Sequence, residues 1–234
     1  MNRITWIVIG VICLVGLGSL IAFTKQGETN VDNIDPVTVI KSENGSIGDR
    51  TTGKADAKVV VFEYADYQCP GCGAAYSTIK SIQDTYKDKV TFVFRNFPLT
   101  SIHPNALASA SVAEAAGQQG KFWEMHDLLF SQRDAWVNLT ADQRGSVFEG
   151  YAKQLNLDMT KFKADQSSKV VSEKISRDRA LGGKLGVDST PSLFIGNKKV
   201  DSTTVDNVIN GKGDSFTSKI DEALKAAGET PPAH

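Results

Sequence analysis

The chain has 234 residues, of which 41% are hydrophobic and 23% charged, with a formal net charge of −1. That length fits one sizeable core and excludes several large domains. The near-neutral balance without long like-charge runs argues against broad nucleic-acid binding or a polybasic membrane patch, and the absence of repeats or low-complexity tracts sets aside solenoids and propellers.

Ile4 to Phe23 forms a run of twenty residues in which only Thr5 and Ser19 are ordinary polar side chains. At ~1.5 Å per residue such a helix spans ~30 Å, a bilayer core. Arg3 precedes the run and Lys25 is the only cation close behind it, which favours a cytoplasmic N-terminus. Residues 1–24 are therefore read as an uncleaved membrane anchor, with a cleaved signal peptide ending near Gly16-Leu17-Gly18 as the rival. Either reading exports the remainder. The expected location is the cell membrane, single-pass, with the domain extracytoplasmic. Cys13 lies inside the apolar run and reads as a space-filler. Residues 25–52 are polar, carry Gly27, Gly45 and Gly48, and show little periodicity beyond Val37 to Ile40, the composition of a tether that can end in an edge strand.

From residue 53 the patterning becomes regular. Lys58 to Tyr64 is β-branched and aromatic, as in a buried strand, and leads directly to Cys69. A helix should start there, because Pro70 suits a first helical position and Ala74, Ile79, Ile82 and Tyr86 continue an amphipathic pattern. Val90 to Phe97 reads as a second strand, parallel to the first through a right-handed crossover. A long helical stretch follows, about residues 100–186, with a capping box at Thr140-Ala141-Asp142-Gln143. Ser192 to Ile195 and Lys198 to Val200 flank a Gly196-Asn197 turn, and Phe216, Ile220, Ala223, Leu224 and Ala227 give a last helix before a short tail, 228–234. The order βαβ, helices, ββα makes residues 53–227 an α/β thioredoxin fold with an inserted helical domain at about 100–186.

Cys69-Pro70-Gly71-Cys72 at a strand-to-helix junction puts the first sulfur at a helix N-terminus, where unpaired N–H groups and the macrodipole favour an anion. Cys69 is thus the expected nucleophile, and Cys72, one turn further in, the more buried resolving thiol. Two cysteines so close in sequence close too small a loop to add much stability, so the spacing points to chemistry. The rival, half of a zinc site, lacks a second Cys-x-x-Cys, and His103, His126 and His234 lack finger spacing. No metal or organic cofactor is suggested beyond the redox-active disulfide itself. Thr190-Pro191 precedes a strand. In such a fold this bond is expected to be cis, beside the cysteines, with the Thr190 backbone free to pair with an extended substrate. His103 reads as part of a helix entry, and His126 as packing one turn after Phe122. Trp123, Met125, Leu129 and Phe130 read as core of the insertion.

Phe62 to Pro70, Arg95-Asn96-Phe97-Pro98-Leu99, Lys121 to His126 and Gly186 to Pro191 together resemble the DsbA-like thiol-disulfide oxidoreductases, most of all their membrane-anchored members. The resemblance implies disulfide donation to exported unfolded or reduced proteins and reoxidation by a quinone-linked membrane partner, DsbB-like or VKOR-like. The alternatives are a reductase or isomerase of the same fold, or a tethered peptide-binding chaperone in which the cysteines are only a staple. The resemblance also gives Glu63, six residues before Cys69, the position of a buried acid that passes protons near the resolving thiol; the residue pattern alone equally allows a strand-end glutamate facing water. One departure is Pro70-Gly71, where the best-known members have Pro-His. Lacking that imidazole, the dipeptide implies a weaker oxidant.

Overall fold

The computed structural model describes residues 29–233. The apolar run of residues 4–23 and Cys13 lie outside the described residues. Among the described residues no helix is long and apolar enough to cross a membrane.

A five-stranded sheet carries the fold in the order β1-β3-β2-β4-β5. Strands β2 (Val59–Ala65) and β3 (Val90–Asn96) run parallel and are joined by helix α1 (Pro70–Tyr86). Strand β1 (Arg50–Gly53) pairs antiparallel with β3, while β4 (Ser192–Ile195) pairs antiparallel with β2 and with β5 (Lys198–Lys199). Strand β2 is covered on both faces, which is why it reads as an apolar run instead of an alternation. Val59 and Val61 pack under Ala75, Ile79 and Ile82 of α1, and Phe62 and Tyr64 point the other way, to Val93 and Phe194.

Five helices form the insertion: α2 (Ala106–Gly117), α3 (Phe122–Ser131), α4 (Ala141–Gln154), α5 (Met159–Gln166) and α6 (Lys169–Lys184). The expected order of βαβ, helices and ββα is observed. Thr140 N donates to Gln143 Oε1 at 3.1 Å, one half of the capping box that opens α4. After the hairpin come α7 (Ser202–Ile209), for which the sequence pattern predicted no element, and α8 (Asp214–Ala226). Helix α7 is only two turns long and starts on an Asp201 carboxylate that accepts from Thr204 N at 2.9 Å. The insertion's apolar centre includes Phe94, Met125, Leu129 and Trp136, and the same cluster takes in Tyr67, Cys69 and Cys72. The cysteine turn is thus built into the core of the insertion.

Residues 30–49 correct the expectation of a featureless tether over 25–52. Val31 and Ile47 are buried. Lys184 Nζ donates to the carbonyls of Val31, Asp32 and Ile34 at 2.9, 3.1 and 2.9 Å. Arg95 donates to Pro36 O and Thr38 O. The segment is a strap: its composition is that of a loop, and distant cations, not local periodicity, hold it in place.

Beneath the strap lies a cluster of buried charge. Arg95 grips Asp49 through Nε at 3.2 Å and a terminal nitrogen at 2.7 Å, and reaches the Tyr64 hydroxyl at 2.8 Å. Lys174 binds both Asp178 oxygens at 2.6 and 2.5 Å and stands 3.9 Å from Asp49 and from Glu114. Arg50 meets Glu114 at 2.7 Å. Burial opposes ionisation of Asp49, but Lys174 and Arg95 outweigh it and hold the carboxyl below its usual range. Removing one member of such a group strands the opposite charge. We expect Lys174→Met to lower the unfolding free energy by about 3–5 kcal/mol in urea titrations at pH 7, and Lys174→Met/Asp178→Leu to recover part of that loss. A single-variant loss below about 1 kcal/mol would show that the cluster is not desolvated in the way described.

Candidate active site

Cys69 is the N-cap of α1, with extended backbone (φ −64°, ψ 127°) and Pro70 in the first turn. The proline's missing N–H is no loss there. Cys69 N donates to Asp66 O at 3.0 Å, and Cys69 O accepts from Gly73 N at 3.1 Å, which fixes the turn into the helix. The Thr190-Pro191 bond is cis. It lies against the cysteine turn: the Cys69 thiol donates to Thr190 O at 3.2 Å, and a Cβ at Gly71 would sit 3.4 Å from Pro191 Cδ. Cys69, Pro70, Gly71, Cys72, Thr190 and Pro191 are therefore brought together.

The two sulfurs are unlike. Cys69 is 7% exposed and Cys72 1%, so the order of access is the expected one, although Cys69 is less open than its place at a helix end predicts because the cis turn covers it. The Cys69 thiol is lowered to about 5. The hydrogen bond from Cys72 is the main cause, acting against burial, with Thr190 and the Gly71 and Cys72 N–H groups adding to it. Burial, and the bond it gives to Cys69, push Cys72 well above an ordinary thiol.

Glu63 is buried on β2, on the face toward α1, and not at a wet strand end. Burial pushes its carboxyl up to about 8. His126 is buried too, in a ring cluster with Tyr67, Phe94 and Phe130. His103 stands at the helix entry, but it also pairs with Asp66, its Nδ1 2.7 Å from Oδ2.

Asp66 was not singled out from sequence, yet it organises the rim. Its carboxylate accepts from Gln68 N at 2.7 Å and Leu99 N at 2.9 Å, tying the cysteine turn to the loop after β3. Gln68 continues the tie, donating to Val137 O at 2.9 Å. Arg133 donates to Gln68 O and lies over the first turn of α1, where a Cβ at Gly73 would come within 2.8 Å of Arg133 Cδ. An Asp two residues before a polar residue at a turn is the one local signal, an Asx-type bond, that marks Asp66. Among the described residues no group of three or more His, Cys, Asp or Glu side chains is arranged to hold a metal ion.

A thioredoxin family model matches residues 45–210. The chain is 35% identical over 151 residues to the Na(+)/H(+) antiporter NhaA 3 of Salinispora tropica, a match covering 64% of this chain and 22% of that protein, so the chain spans about a fifth of that relative's length. Among solved structures it is similar to a thioredoxin-like oxidoreductase from Silicibacter pomeroyi (TM-score 0.61, 24% identity, 76% of this chain and 92% of the other). It is also similar to α-DsbA1 from Wolbachia pipientis (TM-score 0.60, 23% identity, 80% and 99%).

Alkylation of the reduced protein should follow a single thiolate at Cys69 with a midpoint near pH 5. The linked reduction potential should fall by about 60 mV per pH unit below that midpoint and about 30 mV above it. Because the folded value lies below the unfolded thiol's, the stabilisation of the reduced protein is complete above about pH 8.5 and lost as pH falls to 5. A midpoint near 8, with no break in slope, would contradict the described hydrogen bonds.

Proposed function

Because the chain belongs to the thioredoxin family, we propose that it is a thiol-disulfide oxidoreductase that introduces disulfide bonds into exported proteins, with Cys69 as nucleophile and Cys72 as resolving thiol. The observation that carries this reading is the opposed acidity of the two sulfurs, Cys69 lowered to about 5 and Cys72 raised. In the oxidised enzyme a substrate thiolate attacks Cys69 Sγ. The Cys69–Cys72 bond breaks, and Cys72 leaves with the electron pair and takes up a proton. A second substrate thiolate then attacks the substrate sulfur of the mixed disulfide, and Cys69 leaves as a thiolate. Two electrons have passed from substrate to enzyme. The stabler that thiolate, the more strongly the enzyme oxidises, and this favours a donor of disulfides over a reductase or isomerase of the same fold.

Glu63 is the group that gives Cys72 its proton and takes it back on reoxidation, since its carboxyl titrates near 8 and lies on the face that α1 covers. The Thr190 carbonyl and the cis turn offer an extended substrate a backbone partner beside Cys69. Reoxidation falls to a quinone-linked membrane partner, DsbB-like or VKOR-like, and the apolar run of residues 4–23 supports export and attachment at the membrane.

Cys72→Ser should accumulate a mixed disulfide at Cys69 when mixed with a reduced, unfolded protein, and Cys69→Ser should abolish oxidation of that protein. Oxidation persisting in Cys69→Ser would defeat the assignment. Equilibration with glutathione should give a potential more positive than about −200 mV; a value near that of reducing thioredoxins would favour the reductase reading. A Cβ at Gly71 meets only ordinary contacts, so Gly71→His should fold, lower the Cys69 pKa and raise the potential. If both stay unchanged, the dipeptide does not set the redox poise.

A further inference from the structure

Glu63 of β2 and His126 of α3 line one small cavity beneath α1, with Tyr76, Ile79, Lys80 and Gln83. The two sides of the imidazole differ. Nδ1 lies 3.2 Å from Asp127 Oδ1, and Asp127 Oδ2 lies 2.5 Å from Lys80 Nζ. The Asp127 and Lys80 side chains are 35% and 45% exposed, so this side of the ring communicates with water. Against burial, hydrogen bonds from His126 and Lys80 hold Asp127 down to about 2. It is therefore a carboxylate that can only accept, and His126 Nδ1 must donate to it. Burial lowers the imidazole pKa, so the resting ring is neutral and Nε2 carries a bare lone pair. That Nε2 is buried and has no hydrogen-bond partner among the described residues. A phenyl ring would fill the aromatic cluster without leaving an acceptor unpaired, so packing alone does not account for an imidazole here. The other titratable groups facing this pair are Tyr67, from the turn after β2, and Tyr76, from α1.

We propose that His126 is a proton-relay residue, passing protons between the Glu63 carboxyl and solvent through its two ring nitrogens. The proposal rests on the exchange reaction given above. During reoxidation the Glu63 acid protonates His126 Nε2, and the imidazolium releases its Nδ1 proton to water at Asp127. The Glu63 carboxylate so formed then takes the proton of Cys72. When substrate is oxidised the transfers run in reverse and return the ring to its first tautomer. One proton crosses in each half of the cycle, and His126 acts through Glu63 without touching substrate.

The test follows reduced full-length protein as oxidised glutathione closes its disulfide in stopped flow. The first step, at Cys69, should be unaffected by changes at position 126. The second step needs the Cys72 proton removed, and it should slow about tenfold or more at pH 7 in both His126→Phe, which keeps the packing, and His126→Ala. Added imidazole should restore the His126→Ala rate and leave His126→Phe slow. A His126→Phe protein that closes at the wild-type rate, or a slow His126→Ala protein indifferent to imidazole, overturns the relay. Nitrogen-15 spectra of histidine-labelled wild-type protein in the reduced state give a reading that needs no variant: the neutral His126 ring should there carry its proton on Nδ1, and a proton on Nε2 in reduced protein overturns the proposal. Wild-type protein that never closes the disulfide would instead refute the exchange reaction, whereas normal closure in wild type and His126→Phe alike refutes the relay alone.

Discussion

Three carboxylates and two cations are buried, with a third cation, Arg50, at their edge, where the strap, the sheet and the inserted helices meet, and they must be satisfied together or not at all. Asp49 comes from the strap, Arg50 from β1, Arg95 from β3, Glu114 from α2, and Lys174 and Asp178 from α6. Each element brings a charge that would be costly alone in this setting. Asn96 completes the junction, its side-chain nitrogen donating to Glu114 at 2.8 Å and its backbone N–H to Asp178 at 3.0 Å. Apolar surfaces can slide against one another with little penalty, but opposed charges under a layer of protein cannot. The cluster thereby sets the register of the insertion on the sheet, and with it the position of the apolar centre that encloses the cysteine turn.

The parts of this fold legible in the sequence are those whose causes are local. Strand β2 announces itself by its β-branched run, α1 by Pro70 and its apolar spacing, and the hairpin by Gly196-Asn197. The strap was illegible because nothing in residues 30–49 records that Arg95 and Lys184 will donate to their carbonyls. Helix α7 is too short for periodicity to separate it from a loop, and only Asp201 marks its start. In the site, the cysteines and Thr190-Pro191 could be found from spacing and order. Glu63 could not be fixed by pattern, since an acid at this point of a strand fits water or core equally until α1 is laid over it. Asp66 and Arg133 stayed hidden for a related reason: the bonds by which they tie the rim together go to the backbone of Gln68 and Leu99, which no side-chain pattern displays.

The acidity of Cys69 comes from several small contributions pointing the same way. A helix N-terminus supplies at most ~2 kcal/mol, about one and a half pKa units, and the thiol is lowered further than that. The remainder comes from donors that converge on one sulfur: the Cys72 thiol, Thr190 and two N–H groups of the turn. Oxidation removes the Cys72 donor by making it a bonding partner, so the same residue that stabilises the thiolate also removes it. Reactivity and reversibility then have one origin.

The glycine at position 73 has a further meaning. Within the first turn of α1, where a side chain would ordinarily stand, the protein lays the stem of Arg133, whose head holds the Gln68 carbonyl. Even a methyl group there would press on the arginine stem and disturb its hold on the Gln68 carbonyl. The mouth of the dithiol is shaped by a keystone that belongs to the insertion, so sheet and insertion cannot vary independently at this point. Neither could exchange its version of that rim for another without the other half of the joint.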